Sequence, residues 1–244
     1  MLDYTIFNER PESQDRAIKE LQAMGYQYIP RAEAEKKRGH LSRVLFPDVM
    51  HEFLSSQSFT YRGKVCPFSD DAIGEAIREL DAPLEKGLMY ASKAVYDRLV
   101  YGKSCEIHLY DGNAQSFDIS YIDWEHPEKN IWQVTEEFSV ERLNGKFARP
   151  DIVILVNGIP LAVIECKKAS VDVEESVKQN VRNWQPDYIP QLFKFAQLVI
   201  AANPDTVKYG TAGTTQGYFC KWHEEDREWQ EDSAKRYIGA SHIT

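Results

Sequence analysis

Hydrophobic positions recur along this chain first with a helical period and later with a strand-like one. Ile18, Leu21 and Met24 form an apolar stripe that predicts a helix over 13–24, and Gly25 is placed to end it in a left-handed cap. Tyr26 to Ile29 then reads as a strand, stopped by Pro30. Residues 31–68 are mixed in character and carry the basic run Lys36-Lys37-Arg38, which reads as a solvated helix face. Ser69-Asp70-Asp71 is placed to cap a helix through Leu80, and Ala91, Val95, Leu99 and Val100 predict another over 88–101. This segment has the look of a helical insertion.

From Glu106 the period shifts toward two, giving strand candidates at 105–110, 117–123 and 131–142. Two runs that are apolar on both faces, 151–156 and 159–166, flank Asn157-Gly158 and are expected to lie centrally in a sheet. Val173, Val177, Val181 and Trp184 then form one stripe of a helix over 172–184 that should pack against that sheet. A short helix over 189–195 and a buried strand over 198–202 follow. Weaker strands are expected near 207–211 and 216–220, and a polar surface helix over 224–237. The fold class is therefore α/β, a central mixed sheet flanked by helices with a helical insertion in the N-terminal half. Residues 1–30 are read as a helix and strand packing on a core, 31–104 as the mostly helical lobe, 105–222 as the core, and 223–244 as a surface helix leading onward.

Composition narrows the function. A chain of 244 residues with 43% hydrophobic and 12% aromatic content can bury a sizeable core. Its formal net charge of -9 argues against holding nucleic acid by bulk electrostatics, so any such binding needs a local patch or partner subunits. No stretch approaches the roughly twenty apolar residues of a membrane span, and the start Met1-Leu2-Asp3 is not a signal peptide; the expected location is the cytoplasm. Cys66, Cys105, Cys166 and Cys220 are widely separated and read as reduced, mostly buried thiols. The six histidines show no metal-ligand spacing and read as structural or surface residues.

The chemistry concentrates where the apolar runs end. Asp151 opens the first of the two central strands, and Glu165 and Lys167 close the second. Carboxylates at the margin of a buried sheet need something to offset desolvation, and a divalent cation is the strongest local compensator. Asp151, Glu165 and the backbone carbonyl of Cys166 offer the hard oxygen donors that suit Mg²⁺, with Lys167 as a movable positive charge and Lys168 as support. Glu165 and Lys167, two residues apart, share a face. A strict two-residue turn at Asn157-Gly158 would set Asp151 opposite Ile164 and turn it away from Glu165. A three-residue loop of Val156, Asn157 and Gly158, or else a bulge further along, is therefore expected.

These residues resemble the PD-(D/E)xK nuclease motif, and the run from Arg149 to Ser170 resembles the N-terminal region of type I restriction enzyme R subunits. The resemblance extends to Ile122-Asp123-Trp124 with Asn130, and to Ile189–Lys194, Gln197–Ile200 and Tyr209–Thr211. It implies a restriction-endonuclease-like fold and an Mg²⁺-dependent endonuclease acting on double-stranded DNA, with Asp151, Glu165 and Lys167 as the catalytic triad. Gln179 matches the glutamine of a downstream Q-x-x-x-Y motif, whose tyrosine position here holds Asn183, next to Trp184. An acidic residue on the first helix often supports the family's metal site, and Gln14 and Asp15 are the near candidates, with Asp15 the carboxylate. The sequence has no G-x-x-x-x-G-K-[ST] loop, so ATP would belong to the motor of a longer subunit. Methyltransferase and specificity subunits would choose the DNA site. Two other readings are open to the sequence: a non-catalytic docking module for the methyltransferase core, with a vestigial site, and a free-standing repair nuclease.

Overall fold

A computed structural model describes residues 12–222, with side chains from residue 14 onward. In chain order the elements are α1 (Glu12–Ala23), β1 (Gln27–Ile29), α2 (Arg31–Arg38), α3 (Pro47–Ser55), β2 (Ser58–Tyr61), β3 (Lys64–Pro67), α4 (Asp70–Leu80), α5 (Leu88–Tyr101), β4 (Lys103–His108) and β5 (Ala114–Ile119). They continue with β6 (Trp132–Glu136), β7 (Val140–Glu141), β8 (Phe147–Ala148), β9 (Ile152–Val156), β10 (Ile159–Cys166), α6 (Val173–Asn183), α7 (Pro190–Phe193), β11 (Leu198–Ala202), β12 (Val207–Gly210) and β13 (Cys220–Lys221). The helix expected over 224–237 lies outside the described residues.

Seven strands form one mixed sheet in the order β1-β6-β9-β10-β11-β12-β13, with β9 and β10 near its middle. The pairs β1–β6 and β10–β11 are parallel, the latter joined by a crossover through α6 and α7, and the remaining neighbours are antiparallel. Because side chains alternate, the continuously apolar strands feed two layers. Ile152 and Ile164 pack with Val134 and Ile18 on the α1 side. Val153, Val163 and Val199 pack with Val173 and Val177 on the α6 side. The mixed sheet flanked by helices is the architecture expected from the sequence.

The register of the central hairpin decides which side chains meet. Asn157 and Gly158 form a two-residue turn with φ of 52° and 79°, and Val156 pairs directly with Ile159. The three-residue loop is therefore not formed. The shift comes instead between Pro160 and Ala162, where Leu161 is inserted as a bulge and the ladder resumes with Ala162 opposite Ile154. Proline has no amide to give to a ladder and sits in sheets where pairing is interrupted, which explains the position. Beyond the bulge Ile164 faces Ile152, so the next step sets Glu165 beside Asp151 on one face.

Gly158 is held closely. Its carbonyl accepts from Phe46 N at 2.9 Å, and a Cβ there would stand 2.6 Å from Phe46 O. Asn157 is buried and its side chain donates to Tyr121 O and Asn130 Oδ1 while accepting from Ile131 N. The turn is thereby fixed between α3 and the segment leading into β6.

Several expectations need correction. Arg38, read with its neighbours as a solvated face, is 1% exposed. It donates to Ala34 O, Arg43 O and Ser139 O and stacks 3.9 Å above Phe138. Lys36 does lie in solvent. The 31–104 segment holds the hairpin β2–β3 as well as helices. The strand expected over 131–142 is broken at Glu137, where φ of +48° turns the chain from β6 toward β7. Residues 216–218 form a 3₁₀ turn, and only Cys220-Lys221 pair as a strand; Phe219 is drawn inward to stack on Trp184. Of the cysteines, Cys105 and Cys166 are buried, Cys66 is half-buried and Cys220 is exposed.

Candidate active site

The site lies at the sheet end where β10 finishes and β9 begins. Asp151 is anchored at three points. Its carbonyl accepts from Glu137 N at 2.9 Å and from Gln14 Nε2 at 3.1 Å, and its Oδ2 accepts from Cys166 N at 2.7 Å. The first of these depends on the left-handed turn at Glu137, a conformation that costs a residue with a side chain about 1 kcal/mol or more and is found where function fixes the backbone.

Glu165 is fully buried. Its Oε2 accepts from Gln179 Nε2 at 2.7 Å and its Oε1 from Asn183 Nδ2 at 3.2 Å, both from the face of α6 turned to the sheet. Gln179 in turn accepts from Lys167 Nζ at 2.9 Å, so a continuous chain runs from Lys167 through Gln179 to Glu165. α6 is set for this contact by Asp172, whose side chain caps Glu174 N, and by Asn180, which donates to Ile200 O on β11. Burial pushes the Glu165 carboxyl well above the ordinary glutamate value, and the charge of Asp151 adds to the shift. The Lys167 ammonium and the Gln179 hydrogen bond oppose it.

The structure thus brings Asp151, Glu165, Lys167 and Gln179 together. Asp15 is exposed, one position round α1 from Gln14, and Gln14 is the buried residue of that pair that reaches Asp151. Lys168 is exposed. Two participants were not assigned a role from sequence: Asn183, which stands where the motif expects tyrosine, and Glu137, whose conformation has no signal in residue type.

The donor set fits a hard divalent ion. Its charged members are two neighbouring carboxylates, one of them desolvated, and the remaining candidates are neutral oxygens. Gln14 Oε1 is buried with no partner among the described residues, which leaves an oxygen acceptor beside Asp151. Among the described residues no three His, Cys, Asp or Glu side chains cluster as a metal site, so backbone, amide or water oxygens must complete the shell. That is the ordinary habit of Mg²⁺, which retains several waters. Residues that would hold the ion are Asp151, Glu165 and the carbonyl of Cys166.

Comparison with known proteins adds a family. The profile described as the type I restriction enzyme R protein N terminus matches residues 6–218. A Methanocaldococcus jannaschii protein named as the type I restriction enzyme MjaIXP endonuclease subunit is 31% identical over 132 residues, covering 53% of this chain and 13% of that subunit. The SsaAORF53P endonuclease subunit of Staphylococcus saprophyticus is 30% identical over 51% of this chain and 12% of its own length. The HindI endonuclease subunit of Haemophilus influenzae is 24% identical over 230 residues, covering 91% of this chain and 21% of that subunit. The alignments therefore span a small fraction of these relatives' lengths. Among the described residues no helix is long and apolar enough to cross a membrane.

Proposed function

Because the chain belongs to the family of type I restriction enzyme R protein N-terminal regions, we propose that it is the Mg²⁺-dependent endonuclease module of such a subunit, hydrolysing phosphodiester bonds of double-stranded DNA. The observation that carries this reading is the placement of Asp151, Glu165 and Lys167 on one face at one sheet end, which needs the bulge at Leu161 to occur at all. An ordinary buried hairpin has no use for an interruption that turns two carboxylates toward each other.

Mg²⁺ bound there supplies a Lewis acid for the phosphoryl oxygen and lowers the pKa of a water. The protein's own part is positioning. Asp151 is held by two hydrogen bonds at its carbonyl and one at Oδ2, and Glu165 by two side-chain amides, which limits how far either must reorganise to present an oxygen. Lys167, held by Gln179, carries a positive charge that can orient the attacking water and stabilise charge developing on the phosphoryl group. With a net charge of -9 the chain is poorly suited to capture DNA alone. Delivery of DNA is assigned to partners: an ATP-driven motor in a longer subunit, and methyltransferase and specificity subunits that select the sequence, all acting in the cytoplasm.

The test is cleavage by the reconstituted complex. Asp151→Ala, Glu165→Ala and Lys167→Ala are each expected to lower DNA cutting by about 100-fold or more while ATP hydrolysis continues. Cutting at the wild-type rate by any of the three would remove that residue from the site.

A further inference from the structure

Each oxygen of the Glu165 carboxylate is met by an amide of α6, and the two amides have different surroundings. Gln179 is half-buried, and its own Oε1 accepts from Lys167 Nζ. Asn183 is 1% exposed, donates 3.2 Å to Glu165 Oε1, and has no partner for its Oδ1 among the described residues. The two stand four residues apart and so lie one above the other on the helix.

An amide oxygen buried without a partner works against folding. Leucine has the same branched skeleton as asparagine, with bulkier methyl ends, and brings no polar atom to that place. The backbone at this point is fixed separately, by Ile189 N donating to Asn183 O at 3.0 Å. What the Asn183 side chain adds is therefore its one bond to Glu165. Rotation of a carboxylate about its last torsion is soft, so a single donor at Oε2 leaves its plane free to turn. A second donor at Oε1 fixes that plane.

We propose that Asn183 is a positioning residue that sets the plane of the Glu165 carboxylate for binding a divalent cation. The inference rests on the metal-dependent reading above. Asn183 touches neither cation nor DNA in this role; it acts through Glu165.

The experiment uses the full 244-residue chain, with Mn²⁺ as probe in calorimetry and urea unfolding without metal. Loss of a partner that orients a metal ligand typically costs 10–100-fold in affinity. Asn183→Leu is expected to raise the Mn²⁺ Kd by that factor while unfolding without metal stays cooperative. Asn183→Ala should lose affinity likewise, and Asn183→Gln, which keeps the amide, should recover most of it. No Mn²⁺ heat from the wild type would overturn the metal site and this inference together. Heat from the wild type with an unchanged Kd in the leucine and alanine variants would overturn the inference alone. Loss of cooperative unfolding in Asn183→Leu would also overturn it, by making Asn183 a folding residue.

Discussion

The backbone amide of Cys166 donates a 2.7 Å hydrogen bond to Asp151 Oδ2, so the carboxylate that opens one central strand is held by the main chain of the next. An asparagine oxygen can accept the same bond, but the charge is gone. Asp151→Asn should therefore fold with stability within about 1 kcal/mol of wild type yet lose Mn²⁺ binding, measured by urea unfolding and calorimetry on one preparation. A variant that binds Mn²⁺ as wild type does would remove Asp151 from the ligand set.

Glu165 links the site to pH. Burial and the charge of Asp151 hold its carboxyl above the ordinary value of 4.5, so the folded protein retains a proton that the unfolded chain has released. Between 4.5 and the folded value, stability without metal falls as pH rises. Glu165→Gln removes that slope. Asn183 can turn its amide to give Oδ1 to the new donor, and the variant should gain on the order of 1 kcal/mol at pH 8. Near pH 4 the gain should vanish. A variant less stable than wild type at pH 8 would contradict this.

Gly158 combines a φ of 79° with contact against the Phe46 carbonyl, where a Cβ would stand at 2.6 Å. Gly158→Ala should cost about 2–4 kcal/mol in urea unfolding. A loss below about 1 kcal/mol would mean that the turn and α3 can separate freely.

Arg38 ties α2 to the segment after β6 by its bond to Ser139 O and its stack on Phe138, and it also donates to Ala34 O and Arg43 O nearer in the chain. Lysine keeps the charge but has neither the fork nor the planar face, so Arg38→Lys should lose about 2 kcal/mol. Lys36→Ala, on the exposed side of the same turn, should change stability by less than about 0.5 kcal/mol.

Elements marked by a cap or by a clear apolar pattern were legible in the sequence. Ser69 caps α4 at Ala72 N as its position suggested, and the expected bounds of α5 and of β11 match the structure. The run into Glu165 was legible because a fully apolar strand ending in a carboxylate is costly unless something compensates. The bulge was foreseen only as an alternative, although Pro160 marks its place by lacking an amide. The hairpin β2–β3 escaped notice: only Phe59, Tyr61 and Cys66 share an apolar face around Arg62-Gly63, and the pattern is short and half-exposed. Burial of Arg38 and the hold of Asn183 on Glu165 depend on residues 101 and 18 positions away, and no local pattern carries them.

Diffraction from crystals of the chain soaked in Mn²⁺, at a wavelength where manganese scatters anomalously, tests most directly whether Asp151 and Glu165 grip one cation. The predicted result is an anomalous peak bonded to a carboxylate oxygen of Asp151, one of Glu165 and the carbonyl of Cys166, with waters completing the shell. No peak at that sheet end, or one held by other residues, would contradict it.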